Sequence, residues 1–206
     1  MSIYTVKILF SFSLFTLLMV SCNNSELKVT SEKKQSSEAS QQIMPSISMD
    51  SPEILETALK TDSLNVDTRL KLAAQYYANK NFDKALYHNQ IVNRIDKKNI
   101  AALFNLGNVY YDTQQDESAI KYYEKFLELD KSNINVRCDL ATCYMNLNNT
   151  AKAINLLREN IKLDNKHLQS HHNLSIILKQ AGKTAEAEEE MKIYNNLVAA
   201  QQGMNQ

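Results

Sequence analysis

The chain has 206 residues, enough for one domain and some additional sequence, and its 44% of apolar residues is an ordinary supply for a buried core. Only 3 glycines and 2 prolines are present, too few for the many turns of a sandwich or barrel, so helices joined by short polar loops are expected. Lysine plus arginine equals aspartate plus glutamate at 23 each, which leaves no basic field for a phosphate backbone and sets nucleic acid aside as a partner.

A single positive charge, Lys7, precedes the apolar run from Ile8 to Val20. That run has the length of a signal-peptide core and is short for a membrane span. Met19-Val20-Ser21-Cys22 follows at once. These four residues resemble the lipobox of bacterial lipoproteins, with Met19 where the family usually has Leu. The resemblance implies that the leader 1–21 is removed and that Cys22 is alkylated by a diacylglyceryl group and then acylated on its new amine. Several acyl chains make a stable anchor, since each buried methylene adds about 0.8 kcal/mol. The implied place is the cell envelope, on the periplasmic side of the outer membrane. A plain secretory leader or an uncleaved anchor is the alternative reading.

Residues 22–49 form a linker behind that cysteine. From Asn23 to Met49 the segment is rich in Ser, Gln, Lys and Glu and shows no helical or strand period. It cannot bury enough to offset ordering, and as a flexible coil it would reach on the order of 30 Å. Residues 50–65 then give a helix and turn. Ser51 can cap it, Pro52 suits its first position, Glu53 favours its positive end, and Ile54, Leu55, Ala58 and Leu59 make its apolar stripe.

From residue 66 the sequence repeats with a period of about 34, as stacked helical hairpins do. The units are 66–99, 100–133, 134–167 and 168–201, with a tail at 202–206. Leu72, Leu106, Leu140 and Leu174 align, as do the small residues Ala73, Gly107, Ala141 and Ser175. Tyr76, Tyr110, Tyr144 and Leu178 form a third column, and Ala85, Ala119, Ala153 and Ala187 a fourth. Leu and Tyr four apart share one helical face, and the small residue facing an alanine lets two helix axes approach. The Asn- and Asp-rich stretches between helices should cap and turn.

These columns resemble the tetratricopeptide repeat family, with unit 100–133 the best match. The family often has proline where Lys97, Lys131 and Asn165 stand. The resemblance implies an all-α, right-handed solenoid of about four helical hairpins, the last acting as a cap with a solvated Glu188-Glu189-Glu190 run. It also implies a concave groove lined by the first helix of each hairpin. The groove candidates carried over are Leu70, Tyr77, Phe104, Asn108, Tyr111, Met145, His172 and Ile176, with Cys138 and Thr142 on the same wall. Large apolar groups there suit the docking of a peptide or helix. Asn108 occupies a place where some relatives clamp a terminal carboxylate, but the lysine that such a clamp needs is replaced by Leu70, Phe104, Cys138 and His172.

No phosphate loop or nucleophile elbow is present, and nothing assembles a nucleophile with its base, so no enzyme and no cofactor are expected. Cys138 and Cys143 lie about 140° apart around one helix and read as unbridged, half-buried thiols. His167 and His171 have metal-pair spacing but lack an evident third ligand, so no metal is expected. The sequence therefore points to a membrane-anchored scaffold or assembly factor that binds a protein or peptide partner. Homo-oligomerisation through the solenoid is the alternative.

Overall fold

The computed structural model describes residues 51–203, so the leader, Cys22 and the linker lie outside the described residues. Within that span the chain forms nine helices and no strand. Helix α1 spans Pro52–Thr61, α2 Val66–Ala78, α3 Phe82–Ile95, α4 Ile100–Asp112 and α5 Asp116–Leu129. Helix α6 spans Ile134–Asn146, α7 Thr150–Leu163, α8 Leu168–Gln180 and α9 Thr184–Gly203. Helices α2, α4, α6 and α8 begin at Val66, Ile100, Ile134 and Leu168, 34 residues apart each time. Helix α9 runs to Gly203 and so takes in the first residues of the expected tail.

Each hairpin packs its own two helices together, and the second helix packs against the first helix of the next hairpin. First helices also touch directly, α2 with α4 and α6 with α8, which puts their layer on the inner side of the array. The aligned leucines are all at most 3% exposed, and Ala85, Ala119 and Ala153 are fully buried. One core joins α4 to α9 around Leu103, Tyr123, Leu140, Leu157, Leu174 and Ile177. A smaller one joins Leu55, Leu72, Tyr76, Ala85 and Val109.

Two kinds of turn recur, and neither uses proline. Between hairpins, the Oδ1 atoms of Asp62, Asp96, Asp130 and Asp164 accept from the amides of Leu64, Lys98, Ser132 and Lys166 at 2.8–3.3 Å. Three residues after each of the first three, Asn65, Asn99 and Asn133 cap the next helix through Thr68, Ala102 and Val136. An aspartate turn and an asparagine cap thus do what proline does in the wider family. Inside the hairpins, Lys80, Gln114 and Asn148 have φ of 57–58° and Gly182 has 74°. Amides one residue later bond back to Tyr76, Tyr110, Tyr144 and Leu178, so these left-handed residues close the first helices.

Helix α1 holds the place of a second helix in the array. Glu56 on α1 meets Tyr76 and Lys84. Glu124 on α5, 68 residues on, meets Tyr144, which Lys152 also contacts. The intervening unit has Gln90 donating to Tyr110. Arg69 and Arg137 repeat the same alternation, each reaching back to the carbonyl of the preceding turn, Ser63 or Lys131. Ser51 accepts from the amides of Ile54 and Leu55 through its carbonyl, and its hydroxyl makes no cap bond, contrary to the expected side-chain cap.

Gly107 provides space for a ring rather than for an alanine. A Cβ there would sit 2.5 Å from Tyr123 Cδ1, and Tyr123 is 1% exposed with its hydroxyl donating to Asn108 Oδ1 at 2.9 Å. Gly107→Ala should gain helix propensity of about 1 kcal/mol yet lose more by overpacking, for a net destabilisation of about 1–2 kcal/mol. Urea denaturation of the two chains reads the difference.

Candidate functional site

The inner layer brings the groove candidates onto one side of the array but leaves them unequally open. Phe104 is 36% exposed and rests its ring 5.8 Å from that of Phe126. Leu70, Tyr77, Asn108, Tyr111, Met145, His172 and Ile176 are half-buried. Tyr77 packs edge-on to Phe82, and its hydroxyl donates to Asp112 Oδ2, tying α2 to α4. Tyr111 and Met145 pack against the larger core. Asn108 is engaged by Tyr123. His172 stacks 5.0 Å from Tyr194 of α9. Ile176 lines a cleft of about 260 Å³ with Ala187 and Met191 at the open end of the last hairpin. Cys138 and Thr142 are buried beneath Asn173, whose amide reaches Cys138 Sγ at 3.3 Å and Thr142 Oγ1 at 3.4 Å. The third unit is therefore closed where sequence placed open wall.

The chemistry-bearing part of the wall lies between α2, α4 and α6. Asp139 of α6 is half-buried, and burial, together with the nearby Asp112 carboxylate, pushes its carboxyl up to about 7. The same two aspartates act on Tyr77 and Tyr111, whose hydroxyls are raised well above the ordinary phenol range, first by burial. Cys143 is free and fully buried, and burial raises its thiol, with Asp116 and Asp139 adding to the effect. Cys138 is likewise fully buried rather than half-buried.

The histidines are structural. His167 sits at the N-cap position of α8, with Nδ1 2.7 Å from Ser170 Oγ and Nε2 3.1 Å from Asn135 Oδ1. His171 places Nδ1 2.6 Å from Glu190 Oε2 and Nε2 3.0 Å from the carbonyl of Asn165. Both rings have both nitrogens engaged, and among the described residues no group of three His, Cys, Asp or Glu is placed to hold a metal. Glu190, read in sequence as part of a solvated run, is instead the partner of a buried histidine.

A family model described as anaphase-promoting complex, cyclosome, subunit 3 matches residues 112–192. Solved structures of MamA superimpose on most of the chain. One matches with a TM-score of 0.71 and 18% identity, over 74% of this chain and 89% of that one. MamA from Desulfovibrio magneticus RS-1 gives 0.70 and 14%, over 73% and 85%. A third, MamA AMB-1, gives 0.66 and 24%, over 72% and 81%. The chain folds as a tetratricopeptide-type helical solenoid. No curated protein matches it by sequence.

Within this solenoid, sequence reasoning missed the column next to Leu70, Phe104, Cys138 and His172. Lys71, Asn105, Asp139 and Asn173 occupy it. The available signal was one carboxylate in a column otherwise of amides and lysine. A cleft of about 500 Å³ opens between α5 and α7 over Leu140 and Tyr144. Curvature toward the inner layer splays the second helices and opens such a wedge.

An ordinary aspartate titrates near 3.9. The folded chain therefore keeps a proton on Asp139 that the unfolded chain releases, and stability from this group falls as pH rises from about 4 to about 7. His88 and His167, made less basic by burial, act oppositely below about 6.5, so a paired comparison is needed. Asp139→Asn should exceed the native chain in stability at pH 8 by on the order of 2–4 kcal/mol. The gap should shrink toward pH 4, as read by urea denaturation across that range.

Proposed function

We propose that this chain is a membrane-anchored scaffold or assembly factor whose inner wall holds a segment of a partner protein. The observation that carries the reading is Phe104, a large aromatic side chain still 36% exposed on the inner layer of a tetratricopeptide-type array. Apolar anchors on a rigid layer give contact area at low entropic cost. Leu70, Tyr77, Asn108, Tyr111, Met145 and His172 extend that wall, and Ile176 extends it to the open end of the stack. The lipobox-like Met19-Val20-Ser21-Cys22 supports lipidation at Cys22 and a place in the cell envelope.

A photoreactive phenylalanine analogue tests the face and the anchor together. Placed at Phe104 in native membranes, it should cross-link a second protein, whereas the same analogue at Tyr87, 57% exposed on α3, should not. Cys22→Ser should move the protein to the soluble fraction and reduce the yield at Phe104 at least about tenfold, because the local concentration supplied by anchoring is lost. Equal capture at both positions would refute the inner wall. A product of twice the chain mass would identify self-association instead.

A further inference from the structure

Successive helices in this array are joined by turns of three or four residues, so each runs antiparallel to the one before. The turns after α1, α3, α5 and α7 therefore share one edge of the array, and those after α2, α4, α6 and α8 share the opposite edge. The two edges differ in what they present. On the first, Leu64, Ile95, Leu129 and Leu163 are 64%, 45%, 43% and 58% exposed, and the last three stand 34 residues apart. The stretches 60–65, 94–99, 128–133 and 162–167 along it hold seven lysines and arginines against five aspartates and glutamates. On the second edge, the stretches 78–83, 112–117, 146–151 and 180–185 hold two against four. Leu147 is the one large apolar residue exposed in them among the described residues. The aspartates of the first edge accept from amides of their own turns, while Lys97, Lys98, Lys131, Lys162 and Lys166 are exposed.

We propose that the first edge rests on the anionic lipid surface of the membrane that holds the anchor. Ile95 and Leu129 enter the headgroup region there, and Lys97, Lys98 and Lys131 meet lipid phosphates. The inference rests on the anchored reading above and specifies which side of the solenoid meets the bilayer. Charge complementarity selects anionic lipid, since cations outnumber anions on this edge and the order is reversed on the other. The arrangement of the apolar groups selects a bilayer over a protein. A partner helix needs one continuous apolar stripe, whereas these side chains stand singly on separate turns with lysines beside them. A fluid interface admits separate apolar tips between headgroups. Lysine stems can lie along the acyl boundary with their ammonium groups at the phosphates. Helices of 13 or 14 residues are about 20 Å long, so the opposite edge stands clear of the lipid.

The full chain, extracted from native membranes, is returned to vesicles of phosphatidylethanolamine with a quarter of phosphatidylglycerol. A photoreactive phenylalanine analogue replaces either Leu129 or Leu147, which are 43% and 38% exposed, so neither variant disturbs the core. Flotation with the vesicles reports the anchor, and mass spectrometry of the labelled peptide reports lipid adducts. The analogue at Leu129 should give at least about fivefold more lipid adduct than the one at Leu147. Lys97→Glu, Lys98→Glu and Lys131→Glu together should lower the Leu129 adduct about fivefold with flotation unchanged. Exchange of phosphatidylglycerol for phosphatidylcholine should do the same. Equal adducts at the two positions in a chain that floats would overturn the edge and leave the anchor standing. An adduct at Leu129 that withstands both the charge reversals and the lipid exchange would sink the anionic recognition. A chain that does not float removes anchor and edge together. In native membranes, one protein captured at Leu129 in place of lipid would make this edge a protein interface and refute the proposal.

Discussion

Everything in this molecule depends on the close packing of each second helix on its first, through columns of buried leucine and alanine. Ala85, Ala119 and Ala153 have no exposed surface, and the facing leucines have almost none. A larger side chain at either place would push the axes apart. A hairpin closed this tightly still has an uncovered side, because two helices cannot enclose each other. That side is covered by the next hairpin's first helix, and the repetition fixes both the stack and its inner layer. Tyr123 shows how little slack remains: its ring needs the missing Cβ of Gly107.

The stack begins and ends differently. At the start, α1 supplies half a hairpin, and Glu56 holds Tyr76 as Glu124 holds Tyr144. Leu55 is buried there, as Asn89, Tyr123 and Leu157 are at the equivalent places of the next three units. At the end, no further first helix covers α9 among the described residues. Met191 stands where Leu157 and Tyr123 are fully enclosed, and it borders an open cleft. Polar groups bridge successive units as well. Arg69, Arg137 and His171 each take the carbonyl of the preceding turn, while Leu103 packs at the fourth such place. The contact is thus made in the first, third and fourth units and is replaced by apolar packing in the second.

The repeat was legible because it is written in residue size. Leu72, Ala73, Tyr76 and Ala85 recur with the period of the fold, and size is what close packing reads. The role of α1 as a second helix was less legible. Its signature is Asp62 and Asn65, which match Asp96 and Asn99, but a short helix with one buried leucine gives a faint hydrophobic pattern. The wall itself was legible only in outline. Cys138 and Thr142 fall at groove positions, yet Asn173 from the next first helix closes over them, a contact between residues 31 and 35 apart. Asp139 escaped notice because a single aspartate on a helix surface is ordinary, and its burial is a matter of tertiary packing.

The turns carry a kinetic consequence. Between Val66 and Gly203 there is no prolyl bond, because aspartate and asparagine side chains do the turning. Rotation about such a bond takes tens of seconds, far slower than helix formation or hairpin closure. An array turned by side-chain hydrogen bonds meets no such wait, and each turn can reopen and close on the time scale of its own helices. The hairpins of this array could thus assemble without the help of an isomerase.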